Sequence, residues 1–263
     1  MTSLSGRVLL TGATGGIGNA IARAVAARGA QLVLTGRRME ALGPLAAELG
    51  AAVVACDLAE RDQVERLVTE AGEVDVLIAN AAHPASGLFT EFDQLKIDKL
   101  LEVNLRAPIA LARALAPPMM ARRRGHLVFI SSLAGKAASP ASAIYSATKF
   151  GLRGFALGAR EDLRPHGVGV SVVLPGFIRD AGMFAEADVE LPWGVGTRTP
   201  EQVAAAVMQA VERNRAEIPV APMALRLGAG LASVAPTLAS AASRRMGSDR
   251  IASDVAAGQQ HKT

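Results

Sequence analysis

The sequence predicts an α/β protein, a single doubly wound domain on a mostly parallel sheet, with a short helical extension at its C-terminus. Three observations point there. Short apolar runs alternate with longer amphipathic ones from end to end, the signature of strand–helix–strand units. Most of the short runs are continuously apolar rather than alternating, as in parallel strands buried on both faces. Of the 263 residues, 50% are hydrophobic and 20% charged, enough for one large core. Aromatics make up only 3%, so that core must be aliphatic.

The strands follow in order. "RVLL" (7–10) opens the sheet and runs into a glycine-rich turn; "QLVLT" (31–35), "AVVAC" (52–56) and "VDVLIAN" (74–80) come next. "HLVFIS" (126–131), "VGVSVVLP" (168–175) and "EIPVAP" (217–222) complete it. The amphipathic stretches between them predict helices over 17–28, 39–49, 60–71, 93–119, 143–164 and 200–214. No repeat or interior linker interrupts the pattern, so the expected domain spans 1–222. The segment around 180–199 and the extension 223–263 are less regular.

Composition narrows the function. The net charge of +4 is mild and its basic residues are scattered. The run Arg122-Arg123-Arg124 reads as a solvated helix end, and no nucleic-acid partner is expected. A single cysteine, Cys56, excludes an internal disulfide and sits in an apolar run where it packs. The N-terminus carries no secretory pattern. The longest uncharged stretch, Leu227–Ser243, is 17 residues long and broken by Pro236, short of a membrane span. A cytoplasmic location is the expectation.

The first strand leads into "TGATGGIG", Thr11 to Gly18, and then a helix. Glycines let a backbone approach a phosphate, and free amides at a helix N-terminus favour an anion. This is the arrangement expected of a dinucleotide-binding (Rossmann) turn, although the strict G-x-G-x-x-G spacing is absent and a purely structural turn is the alternative. The spacing fits both G-x-x-x-G-x-G and G-x-x-G-x-x-G. An acid at the end of the second strand would bind the hydroxyls of an adenine ribose. Gly36 stands there instead, followed by Arg37 and Arg38. Guanidinium groups suit a 2′-phosphate, so the expected cofactor is NADP(H) rather than NAD(H). The competing reading is a pair of exposed loop arginines.

"YSATK" holds the only tyrosine, Tyr145, four residues before Lys149. On a helix the two share a face, and a nearby cation favours a phenolate. The expected consequence is a lowered phenol pKa.

Taken with "CDL" (56–58), "NAA" (80–82), "VNL" (103–105), "ISS" (130–132) and "PGFI" (175–178), these motifs resemble the short-chain dehydrogenases/reductases from about Leu4 to Pro222. The resemblance implies catalytic roles for Asn104, Ser132, Tyr145 and Lys149. Tyr145 moves the proton, Ser132 orients the carbonyl oxygen, Lys149 lowers the phenol pKa and holds ribose hydroxyls, and Asn104 supports a water leading from Lys149 to solvent. Ser131 is the alternative serine; the 13-residue spacing to Tyr145 favours Ser132. The implied cofactor contacts are Gly12, Thr14, Gly16, Ile17, Gly18, Arg37, Arg38, Asp57, Leu58, Asn80, Ala81, Tyr145, Lys149, Pro175, Gly176 and Ile178. No metal is implied. His83 is read as ordering a loop.

Two positions depart from the family pattern. Ala82 replaces a glycine, and Asp180 stands where a threonine often meets the nicotinamide amide. Residues 181–199 occupy the place of the substrate lid. Met183, Phe184 and Trp193 there imply an apolar carbonyl or alcohol substrate, or alternatively pack the loop. Two other functions stay open: a sugar-nucleotide epimerase or dehydratase, disfavoured because only 41 residues follow Pro222, and a non-catalytic NADP(H)-binding regulator. The apolar tail 223–246, with Arg226, Arg244 and Arg245, suggests a homodimer or homotetramer contact, with peripheral membrane contact as the runner-up.

Overall fold

The computed structural model of the chain describes residues 4–180 and 196–238. Seven parallel strands form one sheet in the order β3-β2-β1-β4-β5-β6-β7. They are β1 Arg7–Thr11, β2 Gln31–Gly36, β3 Ala52–Ala55, β4 Val76–Ala79, β5 Gly125–Ile130, β6 Val168–Pro175 and β7 Glu217–Val220. The helices among the described residues are α1 Gly16–Ala26, α2 Met39–Leu49, α3 Arg61–Ala71, α4 Gln94–Leu101, α5 Ala107–Ala121, α6 Ala143–Leu163, α7 Pro200–Glu212 and α8 Met223–Val234.

Alternate residues of each strand feed two cores. Val8 and Leu10 of β1 pack under α1, α2 and α7, while Leu9 packs under α3, α5 and α6. Every residue of β5 and β6 is buried. This explains their unbroken apolar character, since both faces are covered. Phe129 on β5 meets Phe155 on α6 edge to face, with ring centroids 5.5 Å apart. Such a pair adds about 0.5–1.5 kcal/mol beyond burial, and here it locks α6 onto the strand that ends beside Ser132.

The helix expected over 93–119 is two helices. Glu102–Arg106 forms a π-helical turn between α4 and α5, in which the Ala107 amide donates to the Glu102 carbonyl. The cause is Pro108, which lacks an N–H and whose ring would collide with the carbonyl four residues back, that of Asn104. In the arginine run Arg123 and Arg124 are exposed, as expected, and Arg122 is the one drawn in. Arg122 is 18% exposed and pairs with Glu73 and Asp75, and Arg124 pairs with Asp75 at 3.1 Å. Together they tie the end of α5 to the start of β4. Cys56 is buried, and burial pushes its thiol up to about 11. No helix among the described residues is long and apolar enough to cross a membrane.

Candidate active site

The strand order reverses between β1 and β4, and ligands of such sheets bind in the crevice beyond the strand ends at that point. Thr11, which closes β1, uses its hydroxyl to accept from the amides of Asn80 and Ala81, both at 3.0 Å. The Asn80 side chain donates to the carbonyls of Thr11 and Gly12 at 3.1 and 3.0 Å. Asn80 therefore stitches the glycine turn to the end of β4. Gly12 has φ +69°, and a Cβ there would stand 2.7 Å from the Ala81 Cα. Gly18 is packed just as tightly, since its Cβ would lie 2.1 Å from the Gly12 carbonyl oxygen. It is the glycine that brings helix and strand together.

Beyond this turn, α1 starts at an N-cap, Gly15, that offers no side-chain hydrogen bond, and the first turn holds no acid. Gly15 and Gly16 are exposed at this start. A cavity of about 340 Å³ runs along a flank of α1, lined by Thr14, Gly16, Asn19, Ala20 and Arg23 and by Asp180, Pro200 and Glu201. Ile17 is partly buried against the core. Arg37 and Arg38 are exposed past the end of β2, and among the described residues neither makes an ion pair. Asp57 accepts from the Ala59 amide at 3.0 Å and Leu58 is buried beside it. Pro175 and Ile178 are buried at the far end of the crevice, and the Gly176 amide donates to Val220.

The groups expected to handle the proton converge from three elements. Lys149, 2% exposed, donates from Nζ to the Ile130 carbonyl at 3.0 Å. The same Nζ lies 5.6 Å from the centroid of the half-buried Tyr145 ring. The two serines divide their work. Ser131 is buried and its hydroxyl donates to the Lys149 carbonyl at 2.9 Å. Ser132 is half-buried, its Oγ accepting from the Ala134 amide at 3.1 Å and donating to the Pro175 carbonyl at 3.4 Å. Asn104, in the π turn, is buried and holds the His83 backbone twice: Oδ1 accepts from the amide at 2.6 Å and Nδ2 donates to the carbonyl at 2.9 Å. Its Nδ2 also reaches Thr148 Oγ1 at 3.5 Å. His83 orders its loop through its backbone. Burial first, then Arg37 and Lys99, hold its imidazole below the ordinary value.

The phenol departs from expectation. Burial pushes Tyr145 up to about 12, and a hydrogen bond with Ser132 offsets only part of this. Burial also lowers Lys149 to about 8. A low-dielectric site disfavours the charged form of both groups, and this outweighs the mutual support that four-residue spacing suggests. The ammonium still has two N–H groups beyond the one given to Ile130.

Two residues that brace the site were not singled out from sequence: Thr11 and Thr148 act through backbone partners that only the folded chain supplies. Arg153 had a usable signal, because 145, 149 and 153 share one helix face. The apolar lid of Met183, Phe184 and Trp193 lies outside the described residues. Asp180, at φ +64°, is exposed and pairs with Arg179 at 3.5 Å.

Residues 7–191 match the family model described as short chain dehydrogenase. The chain is 35% identical to the ketoacyl reductase HetN of Nostoc sp., over 90% of this chain and 88% of that protein. A short-chain dehydrogenase from Streptomyces avermitilis superposes with a TM-score of 0.80 at 28% identity, covering 94% of this chain and 99% of the other. A short-chain dehydrogenase from Sphingobium yanoikuyae, solved in complex with NADPH, gives a TM-score of 0.74 at 31% identity over 81% of this chain and 87% of its own. With the reversed strand order at β1 and β4, the stitched glycine turn and the gathered serine, tyrosine and lysine, these matches place the chain in the short-chain dehydrogenase family, as an oxidoreductase acting on CH–OH and C=O groups.

Proposed function

We propose that the protein is an NADP(H)-dependent oxidoreductase that interconverts a carbonyl and a secondary alcohol on an apolar small molecule. The observation that carries this reading is Lys149: a buried ammonium with one hydrogen bond among the described residues, beside the ring of the chain's single tyrosine, which is itself hydrogen-bonded with Ser132. A lysine so buried needs partners, and the hydroxyls of a nicotinamide ribose supply them. The uncapped start of α1 suits a pyrophosphate. Arg37 and Arg38, beside a glycine instead of an acid, suit a 2′-phosphate. The NADPH held by the Sphingobium relative is consistent with this choice.

The nicotinamide, when bound, supplies the hydride in reduction and accepts it in oxidation. The chain handles the proton. In reduction the Tyr145 hydroxyl donates its proton to the carbonyl oxygen while the Ser132 hydroxyl donates a hydrogen bond to the same atom. In oxidation the phenolate removes the alcohol proton. Lys149 supports the charge on the phenol oxygen, and Asn104 keeps the path from Lys149 to solvent. Taking Ser132 as the working serine is supported by the hydrogen bonds: Ser131 is held on the Lys149 carbonyl at 2.9 Å, while the bond from Ser132 to Pro175 is long, at 3.4 Å. An apolar substrate is inferred from Met183, Phe184 and Trp193 in the sequence. We assign residues 1–222 to the catalytic domain and 223–263 to an extension that joins copies of the chain.

The test is a screen of ketones and alcohols followed through NADPH absorbance, with Tyr145→Phe alongside. The variant loses one hydroxyl and little volume, so NADPH binding should persist. Turnover should fall by about 10²–10⁴-fold, the usual contribution of a positioned acid. Turnover near that of the parent would refute the assignment.

A further inference from the structure

Glu217, the first residue of β7, divides its carboxylate between two cations from two other elements. Its Oε1 accepts from Lys136 Nζ, and its Oε2 accepts from Arg153 Nε at 2.6 Å. Lys136 stands four residues after Ser132, at the end of the turn Leu133–Gly135. Arg153 stands four residues after Lys149, on the helix face shared by Tyr145 and Lys149. The three side chains are only 19–25% exposed. Burial pushes the Glu217 carboxyl up, but the hydrogen bonds from Lys136 and Arg153 outweigh it and hold it below the ordinary range.

The turn and the helix already touch at their near ends. Ser131 donates to the Lys149 carbonyl, and a Cβ at Gly135 would stand 2.7 Å from that same oxygen. Phe129 and Phe155 pin the helix to β5 below. Nothing in those contacts fixes how far the turn stands from the lower half of α6. Glu217 supplies a tie there, because its one carboxylate accepts from a cation of each element. From the other side, Ser233 of α8 donates to the Lys136 carbonyl at 3.2 Å.

We propose that Glu217 is a positioning residue. It sets the gap between the turn that carries Ser132 and the helix that carries Tyr145 and Lys149, so that hydroxyl and phenol converge on one substrate oxygen. The inference rests on the proton-transfer roles proposed above. Such a role has a recognisable kinetic form. A displacement on the order of 1 Å in a reacting group can cost about 10²-fold in rate without touching the cofactor site.

The experiment compares Glu217→Ala, Glu217→Asp and Lys136→Met with the parent. NADPH affinity is read by nicotinamide fluorescence, turnover on the best ketone of the screen by absorbance, and amide hydrogen exchange by mass spectrometry. Glu217→Ala should lower kcat at least about tenfold. KM and the NADPH Kd should stay within about twofold, since no binding group is removed. Exchange should rise together over 133–137 and 149–153 and stay unchanged over 31–36 in β2. Lys136→Met should reproduce the exchange pattern over 133–137, and Glu217→Asp, which keeps the charge, should fall between parent and Ala. An unchanged kcat in a folded Glu217→Ala overturns the proposal, as does a parallel loss of kcat and NADPH affinity. If Glu217→Ala does not fold, Lys136→Met and Glu217→Asp decide by the same criteria. If the parent reduces no carbonyl, the functional reading fails separately. The exchange data then judge Glu217 alone: a joint rise supports it and unchanged exchange overturns it.

Discussion

At the scale of single residues, Tyr145 carries the most direct test. It is the chain's only tyrosine, so tyrosinate absorbance reports on it alone. Burial pushes its phenol up to about 12 in the free chain, against about 10 for an exposed tyrosine. An ultraviolet difference titration should show no ionisation through about pH 11 while circular dichroism reports an intact fold. Saturating NADP⁺ should move the midpoint down, because a positive ring nearby favours the phenolate; a free-protein midpoint at 10 or below would show that the site does not desolvate the phenol. Arg37 carries a second test. Arg37→Ala should weaken NADPH binding by about tenfold to hundredfold and leave NADH nearly unchanged, since hydrogen bonds to charged groups contribute about 1.5–3 kcal/mol. Gly36→Asp should act in the same direction by repelling the phosphate. A Cβ at Gly36 meets only Leu42 and Thr14, the nearest atom at 3.4 Å, so the fold should tolerate it. Equal affinity of the parent for both cofactors, by titration calorimetry, would contradict the NADP(H) reading. These residues were legible in sequence because their spacing on one element fixes their geometry. The raised phenol pKa was not, because burial depends on everything packed around the ring.

At the scale of elements, β5, β6 and α7 are joined by a buried polar chain. His126 Nε2 lies 2.8 Å from Ser171 Oγ, which donates to the Ala210 carbonyl at 3.3 Å. Since Ser171 gives its proton to Ala210, the imidazole donates from Nε2. Burial, helped by Arg160, holds it down to about 3. The folded pKa lies below the ordinary 6.5, so the unfolded chain takes up the proton first. The stability this histidine contributes is complete above pH 6.5 and is lost as pH falls toward about 3. Urea unfolding between pH 7 and pH 4 should show a slope of up to about 1.4 kcal/mol per pH unit from this group, and the slope should shrink by that much in His126→Gln. Identical slopes in the two proteins would mean that His126 is not buried neutral. The same scale explains the broken helix over 93–119. Its hydrophobic pattern is continuous, and apolar periodicity alone cannot register a proline's missing amide. Pro108 was nonetheless visible, and counting four residues back leads to Asn104.

At the scale of the whole molecule, α8 lies against its own domain through the buried Ala229 and through Ser233. Its other side presents Met223, Leu227 and Leu231, with Val234 and Leu238 beyond, all more than half exposed. Apolar residues spaced by four form one stripe along a helix. A stripe left in water is characteristic of an association surface, which we take to be a contact between copies. Leu227→Asp with Leu231→Asp should lower the mass measured by light scattering and leave the thermal midpoint within a few degrees, because neither side chain is buried in its own domain. An unchanged mass with reduced binding to anionic vesicles would assign the stripe to a membrane surface instead.

The order of strands and helices, the glycine turn and the spacing of Ser132, Tyr145 and Lys149 were determined by the sequence alone. Each is a local consequence of periodicity, of proline and glycine placement, or of 3.6 residues per turn. Tertiary structure alone decided that Ser131 is held on the Lys149 carbonyl, that Asn80 and Thr11 fasten the turn to β4, and that Asn104 holds the His83 loop. It also decided that burial would raise the phenol pKa and lower that of the lysine. The reason is common to all of these. A hydrogen-bond partner or a desolvating neighbour tens of residues away enters the energy only once the sheet has closed, and no pattern along the chain encodes its distance.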